Sequence, residues 1–362
     1  MNLTASSYRR PPIRVAIFGC GRAVYADHYP FFREHPALFE VVAACDMLRD
    51  RRDEILKDFP KAKMFRQFGE MLDEREIDLV DIATCTPDHV KHAMMSLKRG
   101  FWTLLESPMA LTLDDAVMLR GQAVKTKNRL IVFNRGAFAP DYLLAKQAIG
   151  DPRLGEIHQI RIRREDFVRR DDWQTVKRLG GGAAWYAMPD LMIQAVKLLR
   201  EPPFQMWSEL RRIASLGDAE DECHVALKTR GTLTADIEYN GGSLPGATRS
   251  PAFEIVAERG TFRVAPGASE GTLRVIEPGF KFPRRRSSVR TPPIKDLHET
   301  FPVVDIPVRL PPGTPRGLSA FWKCVYDTVR RAVPFPLALE DSLEAVKLSA
   351  LMKRTSPFGM TA

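Results

Sequence analysis

Between Ile13 and Asn134, short apolar runs alternate with amphipathic ones, and this alternation constrains the fold more than any single motif. The apolar runs cover 13–18, 39–45, 78–84, 101–106 and 130–134. Helical spacing fills the gaps at 27–35, 48–59, 90–99 and 113–125, with one further turn at 68–72. Strands separated by single helices are parallel βαβ units with right-handed crossovers, so residues 1–138 read as a doubly wound parallel sheet. After Phe138 the rhythm changes. A helix at 141–149 is followed by strand-like runs at 157–164, 204–215, 221–228, 232–239, 253–258, 261–264 and 272–276, with one helix at 191–199 among them. Consecutive strands without crossover helices predict a second, α+β domain over 139–362, built on a large, open, mostly antiparallel sheet. Helices at 318–331 and 339–352 close the chain.

The first strand runs into Gly19-Cys20-Gly21-Arg22-Ala23. Gly19 permits a tight turn, and Gly21 lets the backbone approach a phosphate. A helix opening there aims free N–H groups at that phosphate. The place of a third glycine holds Val24, so the dinucleotide fingerprint is two-thirds complete. The second strand ends at Asp46, where a carboxylate accepts hydrogen bonds from ribose hydroxyls and repels a 2′-phosphate, favouring NAD over NADP. The same residue also fits a helix N-cap.

Composition narrows the classes. The 362 residues suffice for two domains, and no apolar run is long enough to cross a membrane. Arg9-Arg10 is followed by a strand rather than a signal-type apolar segment. The five cysteines are scattered without a CxxC pair and the histidines lack ligand spacing, which predicts a reduced, cytoplasmic protein with no metal. The net charge of +9 comes without aromatic-basic interleaving or a recognition motif, so the expected partner is a small molecule, anionic ones included, and not nucleic acid. Residues 277–317, rich in proline and basic residues, read as an extended surface excursion that carries Arg284-Arg285-Arg286-Ser287-Ser288.

Three stretches resemble the Gfo/Idh/MocA family (glucose–fructose oxidoreductase, inositol dehydrogenase, rhizopine catabolism). They are Gly19-x-Gly21 with Asp46; Ala83-Thr84-Cys85-Thr86-Pro87-Asp88-His89-Val90-Lys91-His92 with Gly100 and Glu106-Ser107-Pro108; and Asp171-Asp172-Trp173-Gln174 with Gly180-Gly181-Gly182. The resemblance implies an N-terminal Rossmann domain, a C-terminal open-sheet domain, and hydride exchange between NAD(P) and a sugar, polyol or related carbinol. It also implies cofactor contacts from Gly19, Gly21, Arg22, Ala23, Asp46, Thr84, Thr86, Pro87, His89, Glu106 and Pro108, and a homodimer or homotetramer formed through the open sheet. An outer sheet face without covering helices predicts an apolar surface that such association buries.

The reacting positions depart from the family pattern. The family's Glu-Lys-Pro is Glu106-Ser107-Pro108 here, and the two polar positions after the triple glycine hold Tyr186 and Asp190. An unperturbed serine hydroxyl is a poor acid or base near neutrality. Tyr186 and Asp190, four residues apart on an expected helix, share a face and become the candidates for proton transfer. A tyrosine in that role needs a cation close by; Lys91, Arg163, Arg164, Arg169, Lys177 and Arg178 are the candidates by neighbourhood. His92 is the remaining candidate, at a family position in the helix after Thr86-Pro87. The leading reading is an NAD-dependent oxidoreductase with an altered site. The alternatives are a redox-neutral enzyme that retains NAD (lyase, glycosidase or cyclase-like) and a catalytically silent NAD- or metabolite-sensing protein.

Overall fold

The computed structural model describes residues 10–244, 250–282 and 300–360. Strands β1 (Ile13–Phe18), β2 (Phe39–Cys45), β3 (Lys63–Phe65), β4 (Leu79–Ile82), β5 (Trp102–Leu105) and β6 (Leu130–Val132) form one parallel sheet in the order β3-β2-β1-β4-β5-β6. The order reverses between β1 and β4, which opens a crevice at their carboxyl ends. This is the Rossmann arrangement expected from the alternation of runs. The three-residue β3 was not foreseen, because so short a run has no readable period.

Pro30 reshapes the first crossover. It has no N–H to give to the carbonyl four residues back, and its ring crowds that carbonyl. The chain instead forms one π turn at Val24–His28, closed by the Tyr29 N–H on the Val24 carbonyl, before an α-helix at Tyr29–Glu34. The wide turn carries His28 into the core, where its side chain is fully buried.

The second sheet has eight strands: β7 (Ile157–Glu165), β8 (Gln205–Arg211), β9 (Glu222–Lys228), β10 (Thr234–Asn240), β11 (Phe253–Ala257), β12 (Gly260–Val264), β13 (Glu270–Ile276) and β14 (Val303–Arg309). Their order is β14-β13-β12-β11-β7-β10-β9-β8, antiparallel except for the β7–β10 pair. Alternation along β7 buries Ile160 and Ile162 against the helices Pro140–Ala148 and Met188–Leu199, in one core with Leu144, Leu191 and Ala195.

Three expectations are corrected. The stretch 277–317 is not a continuous excursion, because 303–309 is the edge strand β14. Pro307 is compatible with that position, since an edge strand has one side without a ladder partner. The Arg284–Ser288 run lies outside the described residues. Second, the outer face of this sheet is charged rather than apolar: Arg161 and Arg263 both pair with Glu254 at 2.6 and 2.5 Å, Arg163 with Glu238 at 3.4 Å, and Arg274 with Asp305 at 3.4 Å. Third, the helix Gly317–Arg331 returns to the Rossmann unit. Phe321, Trp322, Val325 and Tyr326 complete its core with Phe32, Phe39 and Phe133, and the Trp322 indole donates to the Asp27 carbonyl at 3.0 Å. Among the described residues, no helix is long and apolar enough to cross a membrane.

Candidate active site

The carboxyl ends of β1, β2 and β4 hold the dinucleotide-type features. Gly19 sits at φ +90°, and a Cβ there would lie 2.6 Å from the Ala83 carbonyl oxygen, so this turn admits only glycine. A Cβ on Gly21 would meet nothing within 4 Å except the Arg51 guanidinium at 3.6 Å. The surface above Gly21 is therefore left to a ligand, and this open cradle beside an acid fits a dinucleotide. Asp46, almost fully buried, accepts the Cys20 N–H at 2.9 Å and the Leu48 N–H at 2.8 Å, with Arg51 at 3.5 Å. The N-cap of the following helix is Leu48, so the N-cap alternative for Asp46 does not hold. Ala23 precedes the π turn, and Arg22 reaches out of the glycine turn to Asp172 at 3.3 Å and Gln174 at 2.9 Å in the second domain. Arg170 joins the same pair of side chains.

The β4–β5 side is tied together by histidines. His89 is buried, with its two ring nitrogens 2.8 Å from the Pro108 carbonyl and 3.0 Å from the Thr84 carbonyl. Burial pushes its pKa down. Its side chain thus staples the turn that begins at Thr86 and Pro87 to the Ser107-Pro108 turn, whose peptide bond is cis. His92 bonds the Thr84 hydroxyl at 3.1 Å and stands edge-on to Phe18 and Phe68. Burial holds its pKa down at about 4, so near pH 7 the ring is a neutral imidazole and not an imidazolium acid.

Beneath this edge lies a network that sequence reading missed. His28 bonds Asp81 at 2.8 Å through Nδ1 and Glu106 at 2.8 Å through Nε2. Burial opposes charge on the ring, but the two carboxylates outweigh it and push the pKa up to about 10. The second oxygen of Glu106 accepts the Ser107 N–H at 3.0 Å. The Ser107 hydroxyl has no hydrogen-bond partner among the described residues. A legible signal existed: an aspartate at 81, inside an apolar strand, must find a partner or pay for its burial.

The second domain adds Asp190 to the same edge. The Asn134 amide donates to Asp190 at 2.8 Å, and a Cβ on Gly136 would lie 3.1 Å from the Asp190 carboxyl. Burial pushes the Asp190 pKa above the usual carboxylate range; Arg164 and Arg135 pull it back, and Glu106 adds to the rise. Tyr186 is not on the same helix. The chain breaks at Ala187 between the short helix Ala183–Tyr186 and the helix Met188–Leu199, with Pro189 in the opening turn of the latter. The Tyr186 ring stands edge-on to Tyr239 with centroids 5.8 Å apart, and Arg170 lies over its face at 4.9 Å. Burial, together with its hydrogen bond to Tyr239, pushes the Tyr186 phenol far up, out of reach as a base. Glu106, Ser107, Asn134 and Asp190 therefore gather at the ends of β5 and β6, while His92 contacts Thr84, Phe18 and Phe68, and Tyr186 contacts Tyr239 and Arg170.

Residues 13–134 match an oxidoreductase family described as having an NAD-binding Rossmann fold, and residues 142–263 match the C-terminal domain of the same GFO/IDH/MocA family. An uncharacterized oxidoreductase of Schizosaccharomyces pombe is 30% identical over 194 residues, which is 53% of either chain. The chain thus spans about half the length of that relative, and the same share of a second one from that yeast. The scyllo-inositol 2-dehydrogenase (NADP(+)) IolW of Bacillus subtilis is 21% identical over 93% of this chain and 91% of its own. The WlbA dehydrogenase of Bordetella pertussis, solved with NADH and UDP-GlcNAcA, shares the fold at a TM-score of 0.73 and 17% identity, over 95% of this chain and 96% of that one. Two family matches in chain order, on a Rossmann sheet followed by an open antiparallel one, mean that this chain belongs to the Gfo/Idh/MocA oxidoreductase family.

Proposed function

We propose that the protein is an NAD-dependent dehydrogenase of a small hydroxylated molecule, sugar-, polyol- or hydroxy-acid-like, in which Asp190 replaces the family's lysine as proton carrier. The observation that carries this reading is the placement of Asp190 against Asn134, at the strand ends where the Glu106-Ser107 turn also stands. NAD, when bound, supplies the hydride acceptor. Asp190, as the carboxylate, takes the proton of the substrate hydroxyl while the carbinol carbon loses its hydride, leaving a carbonyl. Asn134 holds one carboxylate oxygen in place, and the His28–Glu106 pair fixes the turn that carries Ser107. Asp190, Glu106, Ser107 and Asn134 form the reacting side. Gly19, Gly21, Arg22, Ala23, Asp46, Thr84, Thr86 and Pro87 line the cofactor side, and His89, His92 and Pro108 support it.

Incubation with NAD⁺ and a panel of polyols, aldoses and hydroxy acids tests the reading through steady NADH formation. Product formation without net NADH would overturn it in favour of redox-neutral catalysis, and binding without turnover in favour of a sensor.

The Asp46 carboxylate supports NAD over NADP, although IolW carries NADP(+) in its name. Titration should give a Kd for NADH at least about tenfold below that for NADPH, and Asp46→Ala should erase the gap. Equal affinities in the native protein would remove the claim.

We also propose pairing of two copies across the outer face of the second sheet. The charged ladder there, with Trp207 half exposed beside it, suits a wet, polar contact better than the apolar one first expected. Light scattering should give twice the chain mass or a multiple of it; a monomer at high concentration would refute this. The five cysteines are all unpaired, in keeping with a reducing compartment such as the cytoplasm.

A further inference from the structure

Strand β7 carries four arginine or glutamate side chains at its end, and its alternation sends them to opposite faces. Arg161 and Arg163 share the outer face, each paired with a carboxylate, at 2.6 and 3.4 Å. Arg164 falls in register with the buried Ile160 and Ile162, on the face turned toward the helix that carries Asp190. It lies opposite Tyr239 in the β7–β10 ladder, and its field reaches both the Tyr239 phenol and the Asp190 carboxyl. It forms no ion pair or hydrogen bond among the described residues. The neighbouring arginines are committed: Arg135 to Asp27 at 3.1 Å, Arg170 to Asp172 at 3.0 Å and Arg22 to Asp172 at 3.3 Å. Asp190 attracts Arg164 without forming a direct ion pair with it, its carboxyl being held by the Asn134 amide at 2.8 Å.

We infer that Arg164 is a substrate-binding residue whose guanidinium takes the carboxylate of a hydroxy acid, so that the substrate is an aldonate- or uronate-like molecule rather than a neutral polyol. The inference rests on the dehydrogenase reading and deepens it. A guanidinium offers parallel N–H donors in a planar fork that matches a carboxylate, whereas a compact point charge does not. Arg164, the β7 arginine on this face, suits a monoanion. With Arg164 on β7 and Asp190 on the facing helix, a hydroxy acid anchored by its carboxylate presents a hydroxyl to the proton carrier.

The test uses two ligand pairs that share a carbon skeleton and carry no aldehyde for NADH to reduce: gluconate with glucitol, and methyl glucuronide with methyl glucoside. Calorimetric titration into the native chain saturated with NADH, which oxidises neither member, reads binding apart from turnover. At least one acid should bind about 10–100-fold more tightly than its neutral partner, the range of a charge-assisted hydrogen-bonded contact. Arg164→Gln should abolish that difference, and Arg164→Lys should restore only part of it. Arg163→Gln, on the opposite face, should leave it unchanged. The inference falls if neither acid is preferred, if Arg164→Gln keeps the preference, or if that variant weakens both members of a pair equally, as it would were Arg164 only a neighbour that tunes Asp190. Absence of NADH formation from NAD⁺ with every ligand would count against the dehydrogenase reading alone and leaves the binding result standing.

Discussion

His28→Leu will lower the stability of the folded protein by about 3–5 kcal/mol at pH 7, the cost of breaking a buried ion pair from one side. Leucine fills the space but leaves Asp81 and Glu106 facing each other without the ring that joins them at 2.8 Å on either side. For a unit of this size the loss corresponds to a fall in Tm of about 6–20 °C. Adding Asp81→Asn removes the stranded buried charge and should recover part of it. The pH dependence has a definite sign. The folded pKa of His28, about 10, lies above the usual 6.5 of a free histidine. Its contribution is therefore fully present below about pH 6.5 and is lost as the pH rises through about 10. Native melting temperatures should decline across that window through this group, and the variant should lack that part of the decline. A His28→Leu protein that melts within a degree of the native one would show that the ring carries no charge.

Asp190→Asn should reduce kcat for hydroxyl oxidation by about 10²–10⁴-fold, the usual contribution of a positioned acid–base group, with NADH affinity preserved. The amide keeps the shape and the Asn134 contact region but cannot take a proton. Because burial raises the Asp190 pKa, the active carboxylate forms later on the pH axis than for an ordinary aspartate. Native kcat/KM should accordingly rise with pH through an inflection above about 4, the usual aspartate range, and the variant should show no such inflection. Tyr186→Phe serves as the contrast: its phenol is bonded to Tyr239 and held far up in pKa, so kcat should change less than about threefold. A large loss in Tyr186→Phe with a normal Asp190→Asn enzyme would reverse the assignment.

The parallel sheet, the mostly antiparallel one and nearly every helix could be read from the chain, because apolar periodicity follows burial and burial here is two-sided in one sheet and one-sided in the other. What escaped was long-range. Nothing local distinguishes the Gly317–Arg331 helix as a partner of the first domain, since its apolar stripe fits either core. The strand β14 was hidden by Pro302 and Pro307, which signal a loop unless the run is known to lie at an edge. At the site, the glycine turn and Asp46 were legible because backbone geometry restricts residue type there. The common face assigned to Tyr186 and Asp190 was not sound, because Pro189 starts a new helix between them. Arg164 stood among six candidate cations until strand register chose one face for it.

The returning Gly317–Arg331 helix also governs when the protein can finish folding. Trp322 and the Asp27 carbonyl it bonds are 295 residues apart. At a synthesis rate of about 5–20 residues per second, the ribosome needs roughly 15–60 s to span that interval of 295 residues. In the later part of that time, once residue 133 has been made, the nascent first domain presents Phe32, Phe39 and Phe133 without the aromatic cover that Phe321, Trp322 and Tyr326 provide. Folding is thus not vectorial in this chain: the core of the domain made first waits for a helix made after the second sheet, and the waiting apolar face is the surface that chaperones or neighbouring nascent chains meet.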